Sequence, residues 1–144
     1  MFSEAEVREA LESLMQSGWD KARDGLQSEL MRLYQGNHGD YVAVSLTVAY
    51  LLEQLQPSED GYSVEDIRMA GRAFQRTYAD EKDLAFEWAE EHWDGFNEEA
   101  SQFFDYEAFG KYLLSDSPAL FITDTDDTHQ IGCFWQPDNI PSEV

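Results

Sequence analysis

Basic residues, cysteine and long apolar runs are all scarce in this chain, and each scarcity excludes something. Only 9 Lys and Arg stand against 30 Asp and Glu in 144 residues, a formal charge of −21. Gripping phosphate needs Lys and Arg, so direct nucleic-acid binding is excluded. A lone cysteine, Cys133, can form neither an intramolecular disulfide nor a cysteine-rich zinc site. No apolar run reaches the ~18–20 residues of a membrane span, and no charged-then-apolar leader opens the chain. A soluble, cytoplasmic protein is therefore expected. Aromatic residues, by contrast, are plentiful at 14%, which separates the chain from disordered acidic tails. Its length predicts one domain or two small packed units. We expect an N-terminal helical region at 1–56 and an acidic C-terminal region at 57–144, packed together as one unit.

The charge is lopsided. Residues 1–76 hold 13 acids and 7 bases, whereas residues 77–144 hold 17 acids and only Lys82 and Lys111, a net of −15. Such a surface repels itself and works against its own compact state.

Ser3-Glu4-Ala5-Glu6 reads as a capping box opening a helix whose inward face carries Val7, Leu11, Leu14 and Met15, with Gly18 as its stop. A second helix is expected from about Trp19 to Tyr34, burying Trp19, Ala22, Leu26, Leu30 and Leu33. The run from Tyr41 to Leu55 is apolar nearly all round, and its length and the following Pro57 favour a buried helix. Ser63 starts a helix carrying Ile67, Ala70, Phe74 and Tyr78. A short helix is expected from about Asp105, with Tyr106, Phe109, Leu113 and Leu114 inward. Residues 119–123 and 130–135 look like two strands of a hairpin around the polar loop 124–129. The fold class is mainly α with a small C-terminal β-hairpin (α+β), in a compact or elongated acidic helical domain.

From Asp80 to Asp94 a helix is expected whose apolar arc holds Leu84, Ala85, Trp88, Ala89, His92 and Trp93. Asp80, Asp83, Glu87, Glu90, Glu91 and Asp94 fall within about 100° on the opposite side. An ordinary solvated face would interleave Lys and Arg at i+4, and this one has none between Lys82 and Lys111. The missing bases are the signal.

Catalytic and metal signatures are wanting. Counted from Asp124, an EF-hand would need Gly sixth and Glu twelfth, where His129 and Trp135 stand. A di-metal helix would need Glu three before His92, where Ala89 stands. No nucleophile elbow or phosphate-binding glycine loop occurs. No cofactor, metal or enzymatic activity is expected. Trp88, Trp93, Phe103, Phe104, Tyr106 and Phe109 read as core rather than as a ligand platform, because a self-repelling chain needs large apolar side chains.

A carboxylate array can imitate a nucleic-acid backbone. Fourteen residue steps of helix cover about 21 Å, so six stripe acids average about 4.2 Å per charge, against about 3.4 Å on one strand of B-DNA. Held on a folded scaffold, such an array would fit the positive groove of a DNA-handling protein and be steered there by charge.

Residues 74 to about 135 resemble the C-terminal part of the ArdA antirestriction family. The likeness runs through Tyr78, Lys82-Asp83-Leu84-Ala85, Glu87, Trp88, Glu90 and Glu91. Its most specific piece is Phe104-Asp105-Tyr106-Glu107-Ala108-Phe109-Gly110-Lys111, similar to the family's aromatic-Asp-aromatic-Glu motif, and it closes on Gly132-Cys133-Phe134-Trp135. Tyr112 stands where the family often has Asp, and the first 70 residues do not resemble the family's strand-rich N-terminal part. The resemblance implies an elongated, dimeric DNA mimic that inhibits type I restriction–modification enzymes, often phage- or plasmid-borne and acting in the host cytoplasm. The expected phosphate surrogates are Asp80, Asp83, Glu87, Glu90, Glu91, Asp94, Asp105 and Glu107, extended by Glu98, Glu99 and Asp116. The partner would be the basic DNA-binding surface of a restriction–modification enzyme. An RNA-guided effector, a nucleoid protein, or the role of an ordinary acidic cytosolic protein are the alternatives. Apolar residues of 41–55 or of the hairpin could form a homodimer interface.

Overall fold

The computed structural model describes residues 1–55, 61–92, 99, 102–116, 120–123 and 130–141, with the backbone alone at 115, 116 and 120. The chain is mainly α-helical with a small antiparallel sheet, an α+β fold. Its helices are α1 (Glu4–Ser17), α2 (Gly25–Gly36), α3 (Tyr41–Gln54), α4 (Val64–Ala73), α5 (Glu81–His92) and α6 (Tyr106–Asp116). Its strands are β1 (Phe74–Tyr78), β2 (Leu120–Thr123) and β3 (Ile131–Phe134).

Helix starts follow the side chains that satisfy their first N–H groups. The Ser3 hydroxyl accepts the Glu6 N–H at 3.1 Å, while Glu6 reaches back to the Ser3 N–H at 3.3 Å. Ser63 and Asp66 repeat this reciprocal cap on α4. The second helix begins at Gly25 rather than near Trp19, because Asp24 is its cap and accepts the Gln27 N–H at 2.8 Å. Trp19 still contributes, stacked on Tyr34 of α2 at 4.5 Å. Met15 points outward, 41% exposed, rather than into the core. The apolar run forms α3 as expected, with Val42, Ala43, Val44, Leu46, Val48, Tyr50 and Leu51 all buried. Of the aromatic and aliphatic residues suggested there as a dimer contact, Tyr41 is the exposed one, at the helix start.

The periodicity of Ile67, Ala70, Phe74 and Tyr78 extends the fourth helix too far. It ends at Ala73, and Phe74 to Tyr78 form a strand antiparallel to β3. The β-favouring Phe, Thr and Tyr of this segment gain a pairing partner that a helix would not provide. The expected hairpin forms, with Phe121 opposite Cys133 and Ile122 opposite Gly132. β1 completes the order β1-β3-β2, so the hairpin strand β3 lies in the centre. Two strands alone are marginal in water; a third and a helix on each face make the sheet viable.

Alternation along β3 divides the core. Phe134 joins Ile122 and the side chains of α1 to α4 on one face of the sheet. Ile131 and Cys133 join Tyr78, Leu84 and Leu113 on the other, beneath α5 and α6. An irregularity in pairing between Phe74 and Arg76 lets β1 serve both faces. Phe74 meets Phe134 edge-on at 5.5 Å, while Tyr78 lies under α5. Tyr50 of α3 stacks on Phe134 at 4.7 Å and donates its hydroxyl to the Trp135 carbonyl at 2.9 Å. α6 closes on the start of α5 at Gly110, where a Cβ would lie 2.5 Å from the Glu81 carbonyl oxygen. No helix among the described residues is long and apolar enough to cross a membrane.

Phe134 is fully buried at the junction of α3 and the sheet. Phe134→Ala is expected to lower unfolding free energy by about 3–5 kcal/mol, read from urea denaturation.

Candidate functional site

Acids of the C-terminal half do two kinds of work. Asp80 caps α5, accepting the Asp83 N–H at 2.8 Å, and Asp83 accepts the Ala79 N–H at 2.9 Å. Asp105 caps α6, accepting the Ala108 N–H at 3.0 Å. A carboxylate at a helix start also meets the positive end of the dipole, so these charges sit where the fold favours them. Glu90, Glu91, Glu99 and Glu107 are exposed and leave the cap positions to others. The contact of α6 with α5 brings Asp80, Glu81 and Glu107 to one open groove, which Lys82, Thr123 and Ile131 complete. Glu81 was not among the expected surrogates; it lies outside the stripe on a helical wheel, and only the packing of α6 places it there. Asp94 and Glu98 lie outside the described residues, and Asp116 is the last residue of α6.

The stripe is not free of cations. Arg76 reaches from β1 to Glu87 and, at 3.4 Å, to Glu91, while its guanidinium lies 4.3 Å above the Tyr78 ring. Glu87 and Glu91 face each other at i+4 and would otherwise repel. The expectation of an uninterrupted acidic face is corrected here. Counting bases along one helix overlooks the strand beneath it, although Arg76 and Tyr78 stand two apart, the spacing that puts both on one side of a strand. Lys111 adds a weaker pair with Glu107 at 3.7 Å on α6. In the N-terminal half four arginines pair with acids: Arg8 with Glu4, Arg32 and Arg68 with Glu29, and Arg72 with Glu65.

The aromatic residues of this region are not uniformly core. Trp88, Phe104, Tyr106 and Phe109 are half-buried, but Phe103 is 85% exposed, which corrects the sequence reading. Trp93 lies outside the described residues. No group of three or more His, Cys, Asp or Glu side chains among the described residues is arranged to hold a metal. His92 stacks on Trp88 at 4.1 Å with its Nδ1 at 3.0 Å from the Trp88 carbonyl. The 124–127 segment and His129 lie outside the described residues.

Beneath α5, burial pushes the Cys133 thiol up from 9.0 to about 11, with Arg76 lowering it and Glu91 raising it. Burial likewise raises Tyr78 from 10.0 to about 12, helped by Cys133, opposed by Arg76, and raised further by Glu91 and Glu87. Both groups fold in their neutral, protonated forms.

No family model matches this chain, nor does any curated protein or solved structure.

Because the folded state holds Cys133 and Tyr78 protonated, their contribution to stability is complete below pH 9 and is lost as pH rises through about 11 to 12. Urea midpoints should be level through neutrality in this respect and fall above pH 9, with Cys133→Ala removing the earlier part of the fall. Arg76→Gln should cost up to about 1 kcal/mol at low salt, and the loss should shrink in high salt as the half-exposed pairs are screened.

Proposed function

We propose that this protein is a non-enzymatic DNA mimic. Its acidic face on α5 and the start of α6 occupies the DNA-binding groove of a host defence enzyme in the host cytoplasm, with type I restriction–modification enzymes as the target class. One observation carries the reading. In a segment of net charge −15, α6 packs closely on the start of α5 at Gly110, and Asp80, Glu81 and Glu107 meet in one groove beside Lys82. The resemblance of residues 74–135 to the ArdA family supports the same reading. Arg76 removes part of the field over Glu87 and Glu91, so Glu90, Glu99, Asp105 and Glu107 carry more of the imitation than the stripe alone suggests.

The physics is that of DNA binding with the roles exchanged. A groove lined with Lys and Arg attracts phosphate at long range, and an acidic protein enters the same potential. Binding is fast, competitive with duplex DNA and steeply weakened by salt. Lacking both phosphodiester bonds and nucleobases, the protein offers the enzyme it fills nothing to cut and nothing to methylate.

The test is competition between the purified protein and duplex DNA for a type I restriction–modification enzyme. Wild type should inhibit, and raising salt should weaken inhibition. Changing Glu90, Glu91, Glu99 and Glu107 together to Lys should raise the inhibitory concentration by at least about a hundredfold, as several charge contacts are reversed. These four are exposed and cap no described helix. Single changes to Gln should cost only a few-fold. A folded quadruple variant that inhibits like wild type would remove the reading.

A further inference from the structure

Exposed aromatic rings stand among the exposed acids. Phe103 is 85%, Tyr112 55% and Phe86 39% exposed. Phe86 and Tyr112 end one connected series: Phe86 lies 5.8 Å from Tyr106, Tyr106 5.0 Å from Phe104, Phe104 5.3 Å from Phe109, and Phe109 6.1 Å from Tyr112, while Phe103 is the chain neighbour of Phe104. Half-buried Phe104, Tyr106 and Phe109 thus back Phe86 and Tyr112 with ring contacts. On α5, Phe86 has Asp83 at i−3 and Glu90 at i+4, with Lys82 at i−4 and Ala89 at i+3 completing the four positions that adjoin it on the helix surface. Phe103 precedes the exposed pair Asp105 and Glu107.

Rings set among carboxylates already hold a guanidinium elsewhere in this fold. Arg76 holds its guanidinium carbon 4.3 Å from the Tyr78 ring centroid while bonding Glu87 and Glu91. A guanidinium can do both at once, because its faces stack while its edge N–H groups donate to carboxylates. An ammonium is compact and strongly hydrated, and gains less from a ring.

We infer that the outward face built from Phe86, Phe103, Asp83, Glu90, Asp105 and Glu107 is an arginine-selective docking surface for a basic protein partner. This inference rests on the DNA-mimic reading and adds to it the chemistry of the contact. Charge complementarity identifies the occupant: a second copy of this chain would bring −21 against −21, whereas a basic groove brings the opposite sign. The rings add short-range discrimination to a long-range attraction that treats every cation alike. Aromatic and arginine side chains are also the residue types that dominate interface energetics.

Calorimetric titration of the full chain with nona-arginine and with nona-lysine peptides tests this. Wild type should bind the arginine peptide about 3- to 10-fold more tightly than the lysine peptide at equal ionic strength. Phe86→Leu with Phe103→Leu keeps apolar bulk but removes the ring faces; it should bring the ratio close to one and leave the lysine affinity unchanged. Phe103→Leu alone, at a position too exposed to disturb the core, should lower the ratio part of the way. Equal affinities for the two peptides in wild type, or a ratio that neither variant moves, would overturn the inference and leave the mimic reading standing. Failure of both peptides to bind would overturn both.

Discussion

Repulsion among acids is the constraint under which this molecule folds, and burial on both sides of a four-residue strand answers it. Ile131 and Cys133 face α5 and α6, while Gly132 and Phe134 face α3, so one short segment ties the acidic half to the helical half. Apolar burial is indifferent to ionic strength at first order, whereas the opposing charge term is long-ranged and screened. The aromatic richness of the chain finds its reason here. Tyr50, Phe74 and Phe134 supply large buried areas where several smaller side chains would be needed.

Local chemistry made much of the fold legible. The caps at Ser3 and Ser63, the apolar run of α3 and the alternating hairpin segments are signals written within a few residues of where they act. β1 was not legible for the same reason. Ile67, Ala70, Phe74 and Tyr78 satisfy a helical period, and the pairing that overrides it comes from residues more than 50 positions later. Propensity yields when a strand finds a partner. The stop of α2's extension at Asp24 shows the converse: an Asp able to cap fixed the start that periodicity placed too early.

The acidic face was legible as composition and less so as geometry. A helical wheel places Glu87 and Glu91 on one side, but it cannot show that Arg76 rises from a strand below to meet them. It also treats Asp80, Asp83 and Asp105 as free charges, when their oxygens are engaged by backbone N–H groups. Phe103 failed in the other direction. Aromatic residues are buried on average, and nothing in sequence marks the one that is left outside.

The contact between Gly110 and the Glu81 carbonyl has a consequence for the proposed recognition. Because backbone meets backbone there, the interval between the two helices is set by hard atoms instead of by bendable side chains, and the carboxylates they bear form a ruler with little slack. A loose polyanion must surrender conformational freedom each time it is gripped; a ruler has surrendered it at folding. Widening that joint by a single methyl would give back the slack without altering the charge at all.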